Sequence, residues 1–172
     1  MHLTRCDSTF SEAILAIFNE AIANSTALYD YKPRTSASMV SWFENKSRGN
    51  FPVFGAVDDD GKLLGFASYG TFRAWPAYKY SVEHSIYIAA GHRGKGLGKL
   101  LLKALIDSAR QQQYHVLVGG IDSRNQASIR LHTSFGFKHA GTLRQVGFKF
   151  GEWLDLDFYQ LLLDTPTAPV DG

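Results

Sequence analysis

Residues 93–98 read Arg-Gly-Lys-Gly-Leu-Gly, with glycine at every second position. The stretch before it, 81–89, is rich in β-formers, and the stretch after it, 96–113, is amphipathic with helical spacing. A chain built this way must run a strand straight into a helix, which points to an α/β fold. Glycine lacks Cβ, so a turn rich in it lets backbone N–H groups converge on one point. The helix start behind it adds partial positive charge, and Arg93, Lys95 and Lys99 add full charges. Such a turn suits a pyrophosphate. It suits equally a plain strand-to-helix connection with solvated cations. Two well-known phosphate motifs are excluded. The dinucleotide fingerprint beginning at Gly94 would need glycine where Lys99 stands, and a Walker pattern from Gly91 fails at Leu97 and Gly98.

The rest of the chain alternates in the same manner. Residues 3–6 read as a short strand. Ile14, Leu15, Ile17, Phe18 and Ile22 recur at helical spacing over 11–25, with Ser11 as the expected N-cap. A second helix is expected over 36–48, burying Met39, Val40, Trp42 and Phe43. Segments 51–57 and 63–70 flank an Asp/Gly turn, a hairpin signal. An aromatic loop covers 71–80. Residues 115–121, nearly all apolar, read as a central strand buried on both faces. Residues 125–137 read as a short helix capped by Asn125 and ended by Gly136, and two last strands lie within 140–163. The fold expected is a single α/β domain over 1–164: a mixed, mostly antiparallel sheet of six to seven strands flanked by about four helices. A flexible tail, 165–172, follows.

With 172 residues, 45% hydrophobic and 20% charged, the chain can bury a substantial core. A net charge of +2 gives no footing for nucleic acid as a partner. One cysteine, Cys6, excludes an intrachain disulfide and fits a reducing compartment. No apolar stretch approaches the about 18 residues of a membrane helix, and the first ten residues lack a secretory apolar core. The expectation is a cytoplasmic protein without a membrane partner.

Arg93, Gly96 and Gly98 match the pattern Arg/Gln-x-x-Gly-x-Gly/Ala. Asn125, Ser128, Gly136 and Phe137 match a later segment, Asn-x-x-Ala/Ser-x-x-x-Tyr-x-x-x-Gly-Phe, with His132 in place of the tyrosine. In both motifs the chain resembles the GCN5-related N-acetyltransferase superfamily. The histidine, together with 82–88 and 141–161, resembles its phosphinothricin and methionine sulfoximine N-acetyltransferase branch. The resemblance extends over about Leu3 to Leu163. It implies acetyl-CoA as acetyl donor, direct attack of an amine on the thioester, and a homodimer.

That chemistry needs a base for the ammonium, a donor for the oxyanion, and a route for the leaving thiolate. Glu83, on the strand before the glycine turn, is the candidate base, since partial desolvation there would raise its pKa. His132 stands where the family tyrosine is thought to protonate the thiolate, and as the second candidate catalytic residue its imidazole can donate to the sulfur; the alternative is a histidine that caps or packs. The oxyanion donor is expected from the backbone near Tyr87 or Ile88. The resemblance assigns Ile86, Tyr87, Ile88, Arg93, Gly94, Lys95, Gly96, Leu97, Gly98, Lys99, Asn125 and Ser128 to the cofactor, on a strand splayed from 115–121 to admit the pantetheine arm. Arg73 could hold an acceptor carboxylate, with Trp75, Tyr78 and Tyr80 walling the pocket and Tyr29 and Tyr31 closing it. The same aromatic loop could instead pack on a second subunit. His84, beside Glu83, should point to the opposite face. No histidine shows ligand spacing, so no metal site is expected.

The expected activity is acetylation of a small amino-acid-like amine of the phosphinothricin or methionine sulfoximine/sulfone type. Two alternatives are acetylation of a peptide or protein N-terminus, and a non-catalytic CoA-binding module.

Overall fold

The computed structural model describes residues 1–171. In chain order its elements are β1 (His2–Arg5), α1 (Ser11–Asn24), α2 (Ser36–Arg48), β2 (Val53–Val57), β3 (Leu63–Thr71), β4 (Ser81–Ile88), α3 (Leu97–Gln111), β5 (Val116–Asp122), α4 (Gln126–Ser134), β6 (Lys138–Lys149) and β7 (Glu152–Leu162). The strands form one sheet in the order β1-β2-β3-β4-β5-β7-β6. β4 and β5 pair in parallel, whereas β1–β2, β2–β3, β5–β7 and β6–β7 are antiparallel. This is the mixed α/β architecture expected. Among the described residues, no helix is long and apolar enough to cross a membrane.

The chain forms two compact units, each assembled from two stretches of sequence. Met1–Tyr69 with Ser85–Leu105 make the first; Gly70–His84 with the chain from Ile106 onward make the second. In the first unit the core gathers Ile14, Leu15, Ile17 and Phe18 of α1, Met39 of α2, Val53 and Val57 of β2, Leu63 and Phe66 of β3, and Tyr87 of β4. Phe18 is its hub, edge-on to Trp42, Phe66 and Tyr87 at 5.6, 4.9 and 5.2 Å between centroids. Truncating such a ring to alanine typically costs about 3–5 kcal/mol.

Two local expectations are corrected in this unit. Ser11 does not cap α1. A short 3-10 turn, Ser8–Phe10, precedes the helix and is capped by Asp7, whose carboxylate accepts from the Thr9 N–H at 2.9 Å. An aspartate before two hydroxyl residues offers a stronger acceptor than the serine further on. Val40 is 61% exposed rather than buried, because the α2 stripe that meets the core runs through Met39, Trp42 and Phe43. The helix itself starts from a Thr35–Ser38 capping box.

In the second unit, β5 is the central strand. Its Val116, Leu117 and Val118 pair with Ser81, Val82 and Glu83 of β4, and its whole length pairs with β7. Asn125 caps α4 as expected, its Oδ1 accepting from the Ser128 N–H at 3.1 Å. β6 is the sheet edge and carries two register shifts against β7. The segment after β7 hydrogen-bonds to residues of the second unit. The Thr165 hydroxyl donates to the Tyr114 carbonyl, the Thr165 carbonyl lies 2.9 Å from Nδ1 of His115, and the Val170 N–H donates to the Tyr80 hydroxyl at 3.1 Å.

Candidate active site

In the first unit the glycine turn behaves as its spacing suggests. Gly94 and Gly96 have φ of +77° and +82°, and a Cβ on either would meet nothing within 4 Å. Glycine is therefore demanded by backbone conformation, not by crowding. Leu97 is buried and anchors the first turn of α3, while Lys95 and Lys99 are exposed. The first N–H groups of any helix lack intrahelical partners, so the turn presents donors as well as cations.

Arg93, expected to add its charge to the turn, is held by two contacts. Its Nη2 donates to Glu20 of α1 at 2.8 Å, and its Nε reaches the Ile88 carbonyl at 3.4 Å. It therefore straps the turn to α1 and to the end of β4. The partner, Glu20, lies 73 residues away in sequence and carries no local signal. Tyr87 buries its ring against Phe18 and Phe66, and its neighbours Ile86 and Ile88 are half-buried. Tyr29 and Tyr31 are exposed.

In the second unit, Glu83 sits half-buried on β4 with its Oε2 3.8 Å from Nη1 of Arg73. Burial raises the carboxyl above its ordinary range, and the guanidinium pulls it partly back. Arg73 also donates from Nη1 to the Phe72 carbonyl at 2.8 Å and lies over the Phe72 ring. Trp75 and Tyr78 are exposed on the same loop, with Tyr78 edge-on to Phe72 at 5.6 Å. Tyr80 is half-buried, and its hydroxyl is turned to Val170 of the terminal segment.

His132 is buried on α4, and its partner is His84. Their Nε2 atoms lie 2.9 Å apart, and both rings pack on Phe137 at 5.1–5.3 Å between centroids. Nδ1 of His132 lies 2.7 Å from the Ser128 carbonyl and 3.3 Å from the Ser128 hydroxyl. Burial holds both imidazoles below their ordinary pKa. For His84 the neighbouring ring adds to the effect, and the Val118 backbone opposes it. No partner meets hydrogen-bond geometry at Nδ1 of His84.

The double glycine of β5 explains how these groups fit. A Cβ on Gly119 would stand 3.1 Å from Cε1 of His84 and 3.4 Å from Nε2 of His132. A Cβ on Gly120 would stand 3.3 Å from Oε1 of Glu83. Successive strand residues face opposite ways, so Glu83 and the histidine pair occupy opposite faces of the β4–β5 pair. The two residues expected to share the chemistry are thus not neighbours across one face. Strand alternation puts His84 opposite Glu83, as expected, but no local signal marks its partner His132, and the two glycines lie inside an apolar run. Among the described residues, no group of three or more His, Cys, Asp or Glu could hold a metal ion.

Comparison with known proteins places the chain in a family. An L-methionine sulfoximine/L-methionine sulfone acetyltransferase of Pseudomonas aeruginosa is 48% identical over 157 residues, 91% of each chain. The structure of a ribosomal-protein-alanine N-acetyltransferase from Brucella melitensis superposes with a TM-score of 0.92 at 42% identity, covering 95% of this chain and 100% of that one. A phosphinothricin acetyltransferase from Sinorhizobium meliloti, solved with acetyl-CoA, gives a TM-score of 0.93 at 31% identity over 98% of this chain and 91% of that one. The acetyltransferase (GNAT) family model matches residues 16–137, across the strand, glycine turn and capped helix on which the resemblance rested. The chain belongs to the acetyltransferase (GNAT) family.

Proposed function

We propose that this enzyme transfers the acetyl group of acetyl-CoA to the amine of a small, amino-acid-like acceptor of the methionine sulfoximine/sulfone or phosphinothricin type. The observation that carries the reading is the half-buried Glu83 beside Arg73 on the second unit. A carboxylate made more basic by burial suits removal of the ammonium proton, directly or through one water. A guanidinium next to it suits the acceptor carboxylate, which places a zwitterion with its amine toward the base. Trp75 and Tyr78 on the Arg73 loop supply apolar surface for its side chain.

The donor side would use the glycine turn. N–H groups of residues 94–98, with Lys95 and Lys99, would bind the pyrophosphate, and Asn125 and Ser128 the pantetheine arm. Asn125 accepts the Ser128 N–H on its Oδ1, and its amide N–H₂ would donate to that arm. A backbone N–H near Tyr87 or Ile88 would meet the oxyanion.

The test is thiol release from acetyl-CoA across methionine sulfone, methionine sulfoximine, phosphinothricin, free amino acids and peptides with free N-termini. The expected result is turnover of the small acids and little of the peptides. The name of the Brucella relative supports one second reading, acetylation of a protein N-terminus. Preferred turnover of an alanine-terminated peptide would establish that reading and overturn the first.

We further propose a homodimer in the cytoplasm. β6 is a long sheet edge, and Val146, Phe148, Phe150 and Trp153 around the β6–β7 turn are each 45–62% exposed. An edge with that much apolar surface calls for a covering partner. Sedimentation at micromolar concentration should give twice the chain mass.

A further inference from the structure

Burying two imidazoles costs free energy unless their nitrogens are satisfied. His84 and His132 are 6% and 5% exposed and meet nitrogen to nitrogen at 2.9 Å. The protons on this pair follow from its surroundings. A carbonyl oxygen only accepts, so Nδ1 of His132, 2.7 Å from the Ser128 carbonyl, carries a hydrogen. In a neutral ring its Nε2 then holds a lone pair. The contact to His84 is favourable only if Nε2 of His84 carries the hydrogen between them. The Val118 backbone favours a hydrogen on the His84 ring but does not reach hydrogen-bond geometry at Nδ1, so Nδ1 is the buried atom without a partner and is left with the lone pair.

We propose that His84 is a positioning residue for acetyl transfer: its Nε2–H donates to Nε2 of His132, fixes that ring as an acceptor toward β4, and ties α4 to the strand that carries Glu83. The inference rests on the acetyl-transfer reading above and assigns His132 a part different from that of the family tyrosine. One nitrogen of His132 holds its proton on Ser128, and the other has none to give. Passing the shared proton on to sulfur would leave His84 an imidazolate. The C–S bond therefore breaks with its electron pair on sulfur, and the thiolate takes its proton from water. Gly119 is part of the device, because a Cβ there would press on both rings, at 3.1 Å from Cε1 of His84 and 3.4 Å from Nε2 of His132.

Two measurements on the chain test this. The first is ring ¹⁵N NMR of the wild type at neutral pH, assigned with His84→Gln and His132→Gln. Two neutral rings are expected, His132 protonated at Nδ1 and His84 at Nε2, with scalar coupling across the Nε2–H···Nε2 bond. An imidazolium, or His132 protonated at Nε2, overturns the proposal. The second is steady-state kinetics with methionine sulfone. His84→Gln keeps a side-chain N–H donor and should hold kcat within a few-fold. His84→Leu removes the donor and should lower kcat by about tenfold or more, with the KM for acetyl-CoA little changed. Equal losses in the two variants, both folded by circular dichroism, also overturn it. If the wild type turns over no acceptor, the function fails. The ring spectrum then still decides the pairing, since it needs no substrate.

Discussion

Arg73 holds its Nη1 3.8 Å from Oε2 of Glu83, beyond hydrogen-bond reach yet close enough to bias the carboxyl's protonation. Burial raises the Glu83 pKa and Arg73 lowers it. Removing the guanidinium should therefore leave Glu83 protonated to a higher pH. Because the base must be ionised, the acid limb of kcat/KM against pH should move upward in Arg73→Ala. The same variant should raise the KM for a free-acid acceptor by roughly ten- to a hundredfold, the cost of a lost charge-assisted pair. An unmoved acid limb would show that the two residues do not communicate.

Glu83→Gln should reduce kcat by about 10²–10⁴-fold, the usual range for a general base. Acetyl-CoA affinity, measured by calorimetry, should stay within a few-fold, since Glu83 is assigned to the amine. A variant of near-full activity at pH 7 would move the base elsewhere.

Gly119→Ala and Gly120→Ala should part company. The new Cβ of the first meets two buried rings wedged against Phe137, at 3.1 and 3.4 Å. Both rings are buried and packed on Phe137, so overpacking should cost about 1–3 kcal/mol, and Tm should fall about 2–4 °C for each of those. The Cβ of the second meets the Glu83 carboxylate at 3.3 Å and Leu156 at 3.4 Å. A half-buried carboxylate can swing aside, so Gly120→Ala should lose activity with little loss of Tm. Melting curves and initial rates on the two variants check this.

Gly96→Leu isolates the turn. Open space around a Cβ limits the cost in the free protein to that of a positive φ, about 1–2 kcal/mol. Acetyl-CoA at a hundredfold its Kd should stabilise the wild type by about 2.7 kcal/mol and the variant hardly at all. Thermal shift with and without acetyl-CoA separates the two effects. An equal shift in both would remove the turn from the donor site.

Lys46 gives a stability test independent of catalysis. Its ammonium donates to the Tyr69 carbonyl at 2.8 Å, and burial drops its pKa from 10.5 to about 8. The folded chain thus releases this proton at lower pH than the unfolded chain. Below about pH 8 both states hold it and the full desolvation cost is present; between about 8 and 10.5 stability rises with pH. Urea unfolding of wild type and Lys46→Met should show the difference moving in favour of wild type across that window. Other titrating groups cancel in the comparison.

The sequence showed best what is local. Strand, glycine turn and long helix follow from periodicity and from residues that tolerate positive φ, and the Asn125 cap follows from a side chain that reaches three residues on. The start of α1 was misjudged because Asp7 competes with Ser11 from outside the apolar pattern. Long-range partnerships left no trace. Glu20 and Arg93, or His84 and His132, meet only once the elements that carry them have packed. Strand alternation told which face His84 would take, not what would be waiting there. The terminal segment is bonded to Tyr114, His115 and Tyr80, partners that nothing in its own residues points to.

The space shared by His84, His132 and Gly119 has an evolutionary consequence. None of the three can change alone without leaving either an unpaired buried nitrogen or an occupied gap. A lineage that replaces the histidine of α4 with tyrosine should also have changed the residue after the β4 glutamate. The first glycine of β5 would then be free to acquire a side chain. Across the family, positions 84, 119 and 132 should covary as a trio, while position 120 should follow the glutamate instead. Ancestral reconstruction along a branch where the trio turns over would show which substitution opened the way for the others.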